Sequence, residues 1–220
     1  MVKRKDKKQD KRIKDLEKFV FKTIENKQVN YSITPTSISS AGWATQDFIK
    51  TEIGAGDGAT YGDPARIGNT ITLMNQRFGF NFQGSSTDTY NQFRVLLVES
   101  KDGNQDLALS DVLYYSNYAV HGDNVFSSPY TTKTNTNKRY KVHMDKTFVI
   151  SGLATKGGVP PCKVIKHNIK YGKHGKCVEY NGVGSVLPTN HKINLMVISD
   201  SVSATHPSMS YNVRSTYKDA

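Results

Sequence analysis

Lysine and arginine side chains crowd the first eighteen residues of the chain, and their cationic groups are the ones with which proteins neutralise phosphate. The candidate nucleic-acid-binding residues of this arm are Lys3, Arg4, Lys5, Lys7, Lys8, Lys11, Arg12, Lys14 and Lys18. The arm contains almost no aromatic residue before Phe19, so it would bind phosphates without stacking bases or reading sequence. Two other interpretations remain open, namely a solvated tail that leads into a surface helix and a basic amphipathic helix on a membrane surface.

A second basic zone covers residues 133–176, which carry 11 Lys or Arg against Asp145 alone. Residues 1–28 have a net charge of +6 and residues 29–132 a net charge of −5, within a 220-residue chain of net charge +11. The second zone suits either phosphate binding or an ordinary solvated loop around Lys163, Lys166, Lys170, Lys173 and Lys176. Opposite charges on different segments would let one surface bind a polyanion while others bind copies of the same chain.

Catalytic chemistry finds little support in the sequence. The chain has no Gly-x-Ser-x-Gly motif, no Walker loop and no His-Glu-x-x-His motif, and no clustered histidines and carboxylates are evident on facing strands. Cys162, His167, His174 and Cys177 are the best zinc candidates, but their spacing matches no standard finger or knuckle. The Gly-Lys-His-Gly-Lys segment predicts an exposed hairpin tip with two free thiols nearby, typical of an intracellular assembly environment. We therefore predict that the protein is not an enzyme.

A helix and then a series of strands must position these residues. Ile13, Leu16, Val20 and Ile24 recur at helical spacing, with Asp10 as a candidate N-cap and Asn26 or Asn30 as a candidate end. Residues 54–63 are glycine-rich and predict a loop. Residues 66–82 have the pattern of a long β-strand. The apolar residues change from odd to even positions within it, which predicts a bulge or bend near Gln76.

The remaining β signals indicate an antiparallel sandwich. Residues 92–99 are apolar on both faces, typical of a central strand, and residues 107–115 suit a short helix. Further strand patterns cover residues 31–39, 139–150, 192–199 and 209–218. Long connections without strong helices favour an all-β fold, specifically an eight-stranded antiparallel jelly-roll sandwich with a basic, partly helical N-terminal arm.

The predicted organisation is an arm at residues 1–28 and a single jelly-roll shell domain at residues 29–220. No apolar run approaches the ~18 residues that a membrane helix needs, so we expect no membrane insertion. The polar, charged N-terminus also argues against a secretory signal.

The order of several motifs resembles the single-jelly-roll capsid proteins of small icosahedral viruses. These motifs begin with a basic arm and continue with Arg66-Ile-Gly-Asn-Thr-Ile-Thr-Leu, Phe93-Arg-Val-Leu-Leu-Val, Ala108-Leu-Ser-Asp-Val-Leu, Asn137-Lys-Arg-Tyr-Lys-Val-His-Met-Asp-Lys, Ile193-Asn-Leu-Met-Val-Ile-Ser-Asp and Tyr211-Asn-Val-Arg-Ser-Thr-Tyr-Lys-Asp-Ala. The resemblance is to the capsid proteins of satellite tobacco necrosis virus and of circovirus-like single-stranded DNA viruses, and it covers nearly the whole chain.

This resemblance implies a virion protein that assembles, inside the host cell, into a T=1-like shell of roughly sixty copies. The arm would face inward and bind the packaged single-stranded DNA or RNA; its lysine-rich composition leaves the genome type open. The terminal Tyr217-Lys-Asp-Ala matches the Tyr-x-Asp-Ala of the satellite viruses and implies calcium at Asp219 between subunits, with carbonyls near residues 61–64.

Two rival functions use the same fold. A cellular lectin-like binding module with a basic tail would have a concave aromatic site and would be a monomer or a small oligomer. A cupin-like or hydrolytic enzyme would need the clustered histidines and carboxylates that the sequence does not show.

Overall fold

The computed structural model describes residues 9–16, 19, 26–45, 48–49, 65–66, 68–101, 106–131, 140–151, 161–182, 185–202 and 205–219. Within these ranges the helical segments are α1 (residues 9–16 and 19), α2 (Leu109–Val112), α3 (Tyr118–His121) and the 3-10 turn η1 (Gly122–Val125). The strands are β1 (Asn26–Ser37), β2 (Trp43–Thr45), β3 (Thr70–Gln83), β4 (Tyr90–Ser100), β5 (Tyr140–Ser151), β6 (Cys162–Lys170), β7 (Lys176–Glu179), β8 (Ile193–Ser199) and β9 (Ser208–Asp219).

The strands form two antiparallel sheets. Sheet A has the order β1-β9-β3-β6, with β7 also pairing with β3, and sheet B has the order β2-β8-β4-β5. Strands from the two ends and the middle of the chain interleave in this way in the jelly roll, which is built from two Greek keys. The predicted eight-stranded antiparallel jelly roll is therefore confirmed, and β7 is a short addition to it.

Aromatic side chains fill the space between the two sheets. Phe78, Phe80 and Phe82 of β3 are buried, and the Phe82 ring centroid lies 5.2 Å from that of Phe93 and 5.0 Å from that of Phe148 in sheet B. Each such ring buries about 150–250 Å². This core fixes which face of sheet A points inward, so the alternate residues of the same strands form its outer face.

The predicted change of parity in β3 is confirmed. Ile71 and Leu73 are buried, whereas further along the strand Gln76 and Phe78 are the buried residues. The register between β3 and β9 shifts between Leu73 and Asn75, which marks a bulge. One extra residue there moves the second half of β3 onto the opposite parity and so keeps both apolar halves in the core.

Sheet B is covered on both faces, which explains why β4 is apolar on both sides. Residues 107–130, which we call the cover segment, include the predicted short helix as α2 and pack on Leu96 and Ile198. The buried Arg94 fixes this segment: its Nη1 donates to the carbonyl oxygens of Val125 (2.8 Å) and Ser128 (3.0 Å). Its Nη2 and Nε donate to the Asp145 carboxylate at 2.7 and 3.1 Å.

β6 and β7 together form one interrupted edge strand rather than two arms of a hairpin. β6 pairs with residues 75–83 of β3, and β7 pairs with residues 70–73 of the same strand. The predicted hairpin tip is therefore wrong: residues 171–175 loop out and return, helped by Gly172 and Gly175 at φ +79° and +68°. Such positive φ values suit glycine, which has no Cβ.

This arrangement also separates the zinc candidates. Cys162 pairs with Gln83 and Cys177 with Thr72, at opposite ends of β3. Eleven residues of strand correspond to about 35 Å at roughly 3.3 Å per residue. Both thiols are exposed, and these two cysteines cannot bind one ion.

α1 is present as the amphipathic pattern predicts, but Asp10 is not its N-cap, because Gln9 is already helical.

β1 begins at Asn26, so residues 26–28 pair with β9 and belong to the sandwich, although the predicted boundary placed them in the arm. Val20, Ile24 and the predicted loop at residues 54–63 lie outside the described residues. Among the residues described, no helix has both the length and the apolar character needed to span a bilayer.

Candidate nucleic-acid interface

Three of the nine predicted arm cations lie on α1. Lys11, Arg12 and Lys14 are exposed, while Lys3, Arg4, Lys5, Lys7, Lys8 and Lys18 lie outside the described residues. Ile13 and Leu16, on the apolar side of α1, are also 54% and 62% exposed. The described cations of the arm are thus open to solvent, and their binding to nucleic acid stays a prediction.

The outer face of sheet A forms a groove of about 1060 Å³ that crosses β1, β9, β3 and β6. Its outward side chains stand in rows of directly paired residues. The first row is Asn30, Arg214, Arg77 and Asn168; the second is Ser32, Asn212, Gly79 and Lys166; Ser210, Asn81 and Val164 follow. We call this set of side chains the outer groove.

Glycine keeps the floor of the outer groove low. Gly79 lies in the middle of β3, and a Cβ at this position would lie 2.8 Å from Oδ1 of Asn212. Real Cβ atoms do not approach an oxygen so closely, so a larger residue would push the Asn212 side chain away. The absence of a side chain at Gly79 therefore leaves the centre of the groove accessible.

The outer groove carries positive charge without acidic residues. Arg77, Lys166 and Arg214 line it together with amides and hydroxyls, and no aspartate or glutamate is among its lining residues. Arg77 and Arg214 are direct partners across β3 and β9. Nε of Arg214 donates to Oδ1 of Asn30 at 2.9 Å. These residues can therefore offer two guanidinium groups and several neutral polar groups to an anion.

The outer groove could not be predicted from the sequence because Arg77 and Arg214 are far apart in the chain. Arg77 lies within the net acidic residues 29–132, and Arg214 lies in the last strand, four residues before Lys218. The sequence did show that each arginine occupies one of the alternate polar positions of its strand. Only the register between β3 and β9 brings them together.

Four of the five lysines named in the second basic zone lie on strands rather than in a loop. Lys163, Lys166 and Lys170 lie on β6 and are exposed, and Lys173 lies in the loop that follows. Nζ of Lys163 lies 4.7 Å from the Phe148 ring centroid, a distance that suits a cation–π contact. Among the described lysines of this zone, only Lys166 lines the outer groove.

A buried polar cluster joins the two sheets, contrary to the expectation that histidines and carboxylates are not clustered. Glu99 of β4 accepts a hydrogen bond from Nζ of Lys176 in β7, and its Oε2 lies 2.7 Å from Nε2 of His143 in β5. Nδ1 of His191 lies 3.4 Å from Oε1 of Glu99, and its Nε2 lies 3.1 Å from the Tyr171 hydroxyl. We call these five residues the Glu99 cluster.

The protonation states of the Glu99 cluster suit a structural role. Burial raises the pKa of Glu99, but hydrogen bonds from His143, His191 and Lys176 outweigh it and hold this pKa well below the ordinary value. Burial lowers the pKa of His191, and burial with the Glu99 charge raises the pKa of Tyr171. A phenol that keeps its proton is a poor nucleophile. The described residues contain no group of three side chains suited to a metal ion.

The charges of different chain segments partly neutralise one another within the molecule. Glu99, from the acidic residues 29–132, pairs with Lys176 from the second basic zone. Asp145, the acidic residue of that basic zone, pairs with Arg94. Fewer opposite charges are therefore left for contacts between copies than the linear distribution predicts.

Asp219, the predicted calcium ligand, lies at the end of β9 and is buried. Its Oδ2 lies 3.2 Å from Nζ of Lys27, which also donates to the carbonyl oxygen of Ala65 at 2.7 Å. The carbonyls expected to complete the site, at residues 61–64, lie outside the described residues. Calcium at Asp219 stays a prediction, and the ion would have to compete with the Lys27 ammonium group.

Neither a protein-family model nor a curated protein matches the chain. Its fold is similar to a chain of desmodium yellow mottle tymovirus, with 10% identity, 90% of this chain and 88% of that chain covered, and a TM-score of 0.39. A chain of sacbrood virus of honeybee has 11% identity, 88% and 73% coverage and a TM-score of 0.35. A chain of the Macrobrachium rosenbergii nodavirus semi-empty VLP has 9% identity, 90% and 86% coverage and a TM-score of 0.36.

All three of these chains come from viruses, in agreement with the viral resemblance of the sequence motifs. The strand order of the two sheets is what establishes the jelly roll.

Proposed function

We propose that this chain is a viral capsid protein that assembles with copies of itself into a small icosahedral, T=1-like shell and packages single-stranded nucleic acid. The observation that carries the proposal is the attachment of a basic arm, with exposed cations on α1, to β1 at the edge of a jelly roll. The protein would then act in the virion after assembly inside the host cell. A structural role also agrees with the contacts by which the Glu99 cluster joins the two sheets.

Contacts between copies need surface beyond the core, and the jelly roll offers exposed apolar side chains. Tyr114 and Val120 of the cover segment are 67% and 71% exposed, and Val202 after β8 is 69% exposed. Repeated contacts of unlike surfaces close into a shell when the symmetry permits. We propose that these residues take part in such contacts.

The first prediction is that the purified protein forms closed particles. Roughly sixty copies of the 24.5 kDa chain give a mass of about 1.5 MDa. Multi-angle light scattering and negative-stain microscopy should detect particles of that mass. Species below about 100 kDa across a range of salt and calcium concentrations, with and without nucleic acid, would contradict the capsid proposal.

The same measurement separates the rival lectin-like module, which would remain a monomer or a small oligomer. The geometry gives that rival little support, because the outward side chains of the groove include no aromatic ring on which a sugar could stack. The groove offers arginine, lysine and amide groups instead, which suit an anion.

The second prediction is that deletion of residues 2–18 removes most of the co-purifying nucleic acid and leaves the sandwich folded. The sandwich starts at Asn26, so the deletion removes no strand. Residual binding should weaken steeply between about 50 and 200 mM salt, because phosphate neutralisation releases counterions. The absorbance ratio of the purified protein and its circular dichroism spectrum measure the two effects.

A milder variant with a matched control tests the arm charges themselves. Lys11, Arg12 and Lys14 are changed to glutamine in one variant, and the exposed Lys101, Lys141 and Lys146 are changed to glutamine in the other. Both variants lose three positive charges, and only the first should lose nucleic acid. Equal losses would assign binding to overall charge rather than to the arm.

A further inference from the structure

We propose that Arg77 and Arg214 form a phosphate-binding pair in the outer groove, which holds the phosphodiester backbone of a single-stranded nucleic acid separately from the arm. This inference rests on the proposed function, because it assigns a second surface to the packaged strand. It concerns sheet A of the jelly roll itself rather than the N-terminal residues.

The first argument is the direct pairing of two like charges. Arg77 and Arg214 are register partners on neighbouring strands, which places their Cβ atoms about 4.5–5.5 Å apart. Like charges in such a pair destabilise a sheet. Neither arginine forms an ion pair with a carboxylate in the part of the chain that the structure describes. An anion between the two guanidinium groups would remove this repulsion.

The second argument is the chemistry around the pair. Asn30 and Asn168 flank the two arginines in the same row, and Lys166 and Asn212 stand in the next row on either side of Gly79. Amides supply hydrogen bonds without negative charge, and guanidinium groups match the oxygens of a phosphate in a bidentate manner. The low floor at Gly79 lets an extended ligand approach the backbone of β3.

The shape of the groove favours a chain of phosphates over a single small anion. Four strands about 4.8 Å apart give a width of about 14 Å, and successive rows lie about 7 Å apart. The cations occupy two different rows, so they can contact more than one phosphate of the same strand of nucleic acid. β1 supplies Asn30 and Ser32 to the groove and continues toward the basic arm, so one strand of nucleic acid could contact both surfaces.

The experiment measures binding of a fluorescent oligothymidylate to unassembled full-length subunits by anisotropy over a range of salt concentrations. For single strands, the slope of log affinity against log salt changes by about 0.7 for each phosphate contact. The variant R77Q/R214Q should lose about tenfold in affinity near 0.1 M salt, and its slope should be shallower by about 0.7–1.4. R77K/R214K keeps the charge but lacks the planar guanidinium groups. Its slope should equal that of the wild type, and its affinity should lie between those of the wild type and R77Q/R214Q.

A second double variant separates the effect of position in the groove from the effect of losing two positive charges. K101Q/K141Q also removes two exposed cations, from the turn that follows β4 and from β5, away from the outer groove. Its affinity and slope should stay close to those of the wild type. Equal effects of the two double variants would overturn the proposal.

Two more measurements complete the test. R77Q/R214Q should have a thermal midpoint equal to or above that of the wild type without ligand, because a repulsive pair has been removed; a lower midpoint would overturn the argument from repulsion. The second measurement is calorimetry of inorganic phosphate binding to the unassembled subunits. Phosphate binding at the pair combined with an unchanged oligothymidylate affinity in R77Q/R214Q would make it a small-anion site and overturn the proposal.

Light scattering keeps this inference separate from the proposed function. Particles of normal mass from R77Q/R214Q, with unchanged oligothymidylate binding, would overturn the phosphate pair and leave the capsid proposal intact. Failure of the wild-type chain to form particles would overturn the capsid proposal, whatever the binding data show.

Discussion

Glu99→Gln is expected to lower the free energy of unfolding by about 3 kcal/mol at pH 7, the lower end of the range for breaking a buried ion pair. The substitution leaves the Lys176 ammonium group between the two sheets with no negative partner, beside His143 and His191. The effect is at the lower end because the Lys176 side chain is 32% exposed and keeps some contact with water. Denaturant-induced unfolding of unassembled subunits measures the change.

A matched control is Asp106→Asn, which neutralises the partner of Lys192 in a pair whose carboxylate is 62% exposed. Exposed pairs contribute about 0–1 kcal/mol, so this variant should stay close to the wild type. Equal destabilisation by the two variants would mean that burial of Glu99 has no special effect.

At acid pH the wild type and Glu99→Gln should differ less in their free energy of unfolding. The pKa of Glu99 is lower in the folded state than in the unfolded chain, so its charge stabilises the fold fully above the unfolded pKa of about 4.3. This contribution is lost as the pH falls through the folded pKa. The stability difference should therefore be smaller below pH ~4 than at pH 7. A difference that grows in acid would contradict the assignment of Glu99 as the ionised partner.

Arg94→Met should lower the free energy of unfolding by about 3–5 kcal/mol. The change removes the counter-charge of Asp145 and leaves the carbonyl oxygens of Val125 and Ser128 without the guanidinium group that binds them. Burial, together with the hydrogen bond to Asp145, raises the pKa of Tyr130 to about 12, so its phenol keeps donating to that carboxylate and offsets part of the loss. Denaturant unfolding gives the total effect.

Hydrogen exchange locates the effect of Arg94→Met. The cover segment should exchange faster than β3 in the variant, because Arg94 connects that segment to sheet B. Arg214→Met is the control: it also replaces arginine by methionine, but the Arg214 side chain is exposed and donates a hydrogen bond of 2.9 Å to Asn30. A surface change of this kind should alter stability by about 0.5 kcal/mol. Uniform exchange in Arg94→Met would argue against the local role.

The apolar pattern of the sequence predicted the sandwich well because burial acts on every second residue of a strand. The parity switch in β3 was visible in the sequence as Ile71 and Leu73 followed by Phe78 and Phe80, and the bulge lies between Leu73 and Asn75. β6 was not among the predicted strands, because its exposed lysines outnumber its two buried residues, Ile165 and Ile169. Edge strands often carry lysine, which hides the alternation.

The polar sites could not be predicted because they depend on register between distant segments. The Glu99 cluster draws on β4, β5, β7 and the residues beside β6 and β8, and no two of its members are close in sequence except through the loop between Tyr171 and Lys176. The Arg77–Arg214 pair likewise exists only once β3 and β9 are aligned. Charge runs, by contrast, are local, and so the exposed cations of α1 could be predicted.

The interruption between β6 and β7 affects how neighbouring molecules can meet. A continuous, unpaired strand edge is a template on which another chain can add a strand, and crowded subunits are prone to such growth into fibres. Here residues 171–175 break one edge of sheet A, and Pro35 interrupts the other edge in β1. Sheet B ends in the three-residue β2 and in β5, whose Lys141 and Lys146 are exposed. Addition of a strand at these edges is therefore disfavoured, and contacts between copies in the proposed shell would have to use side chains of the faces and loops.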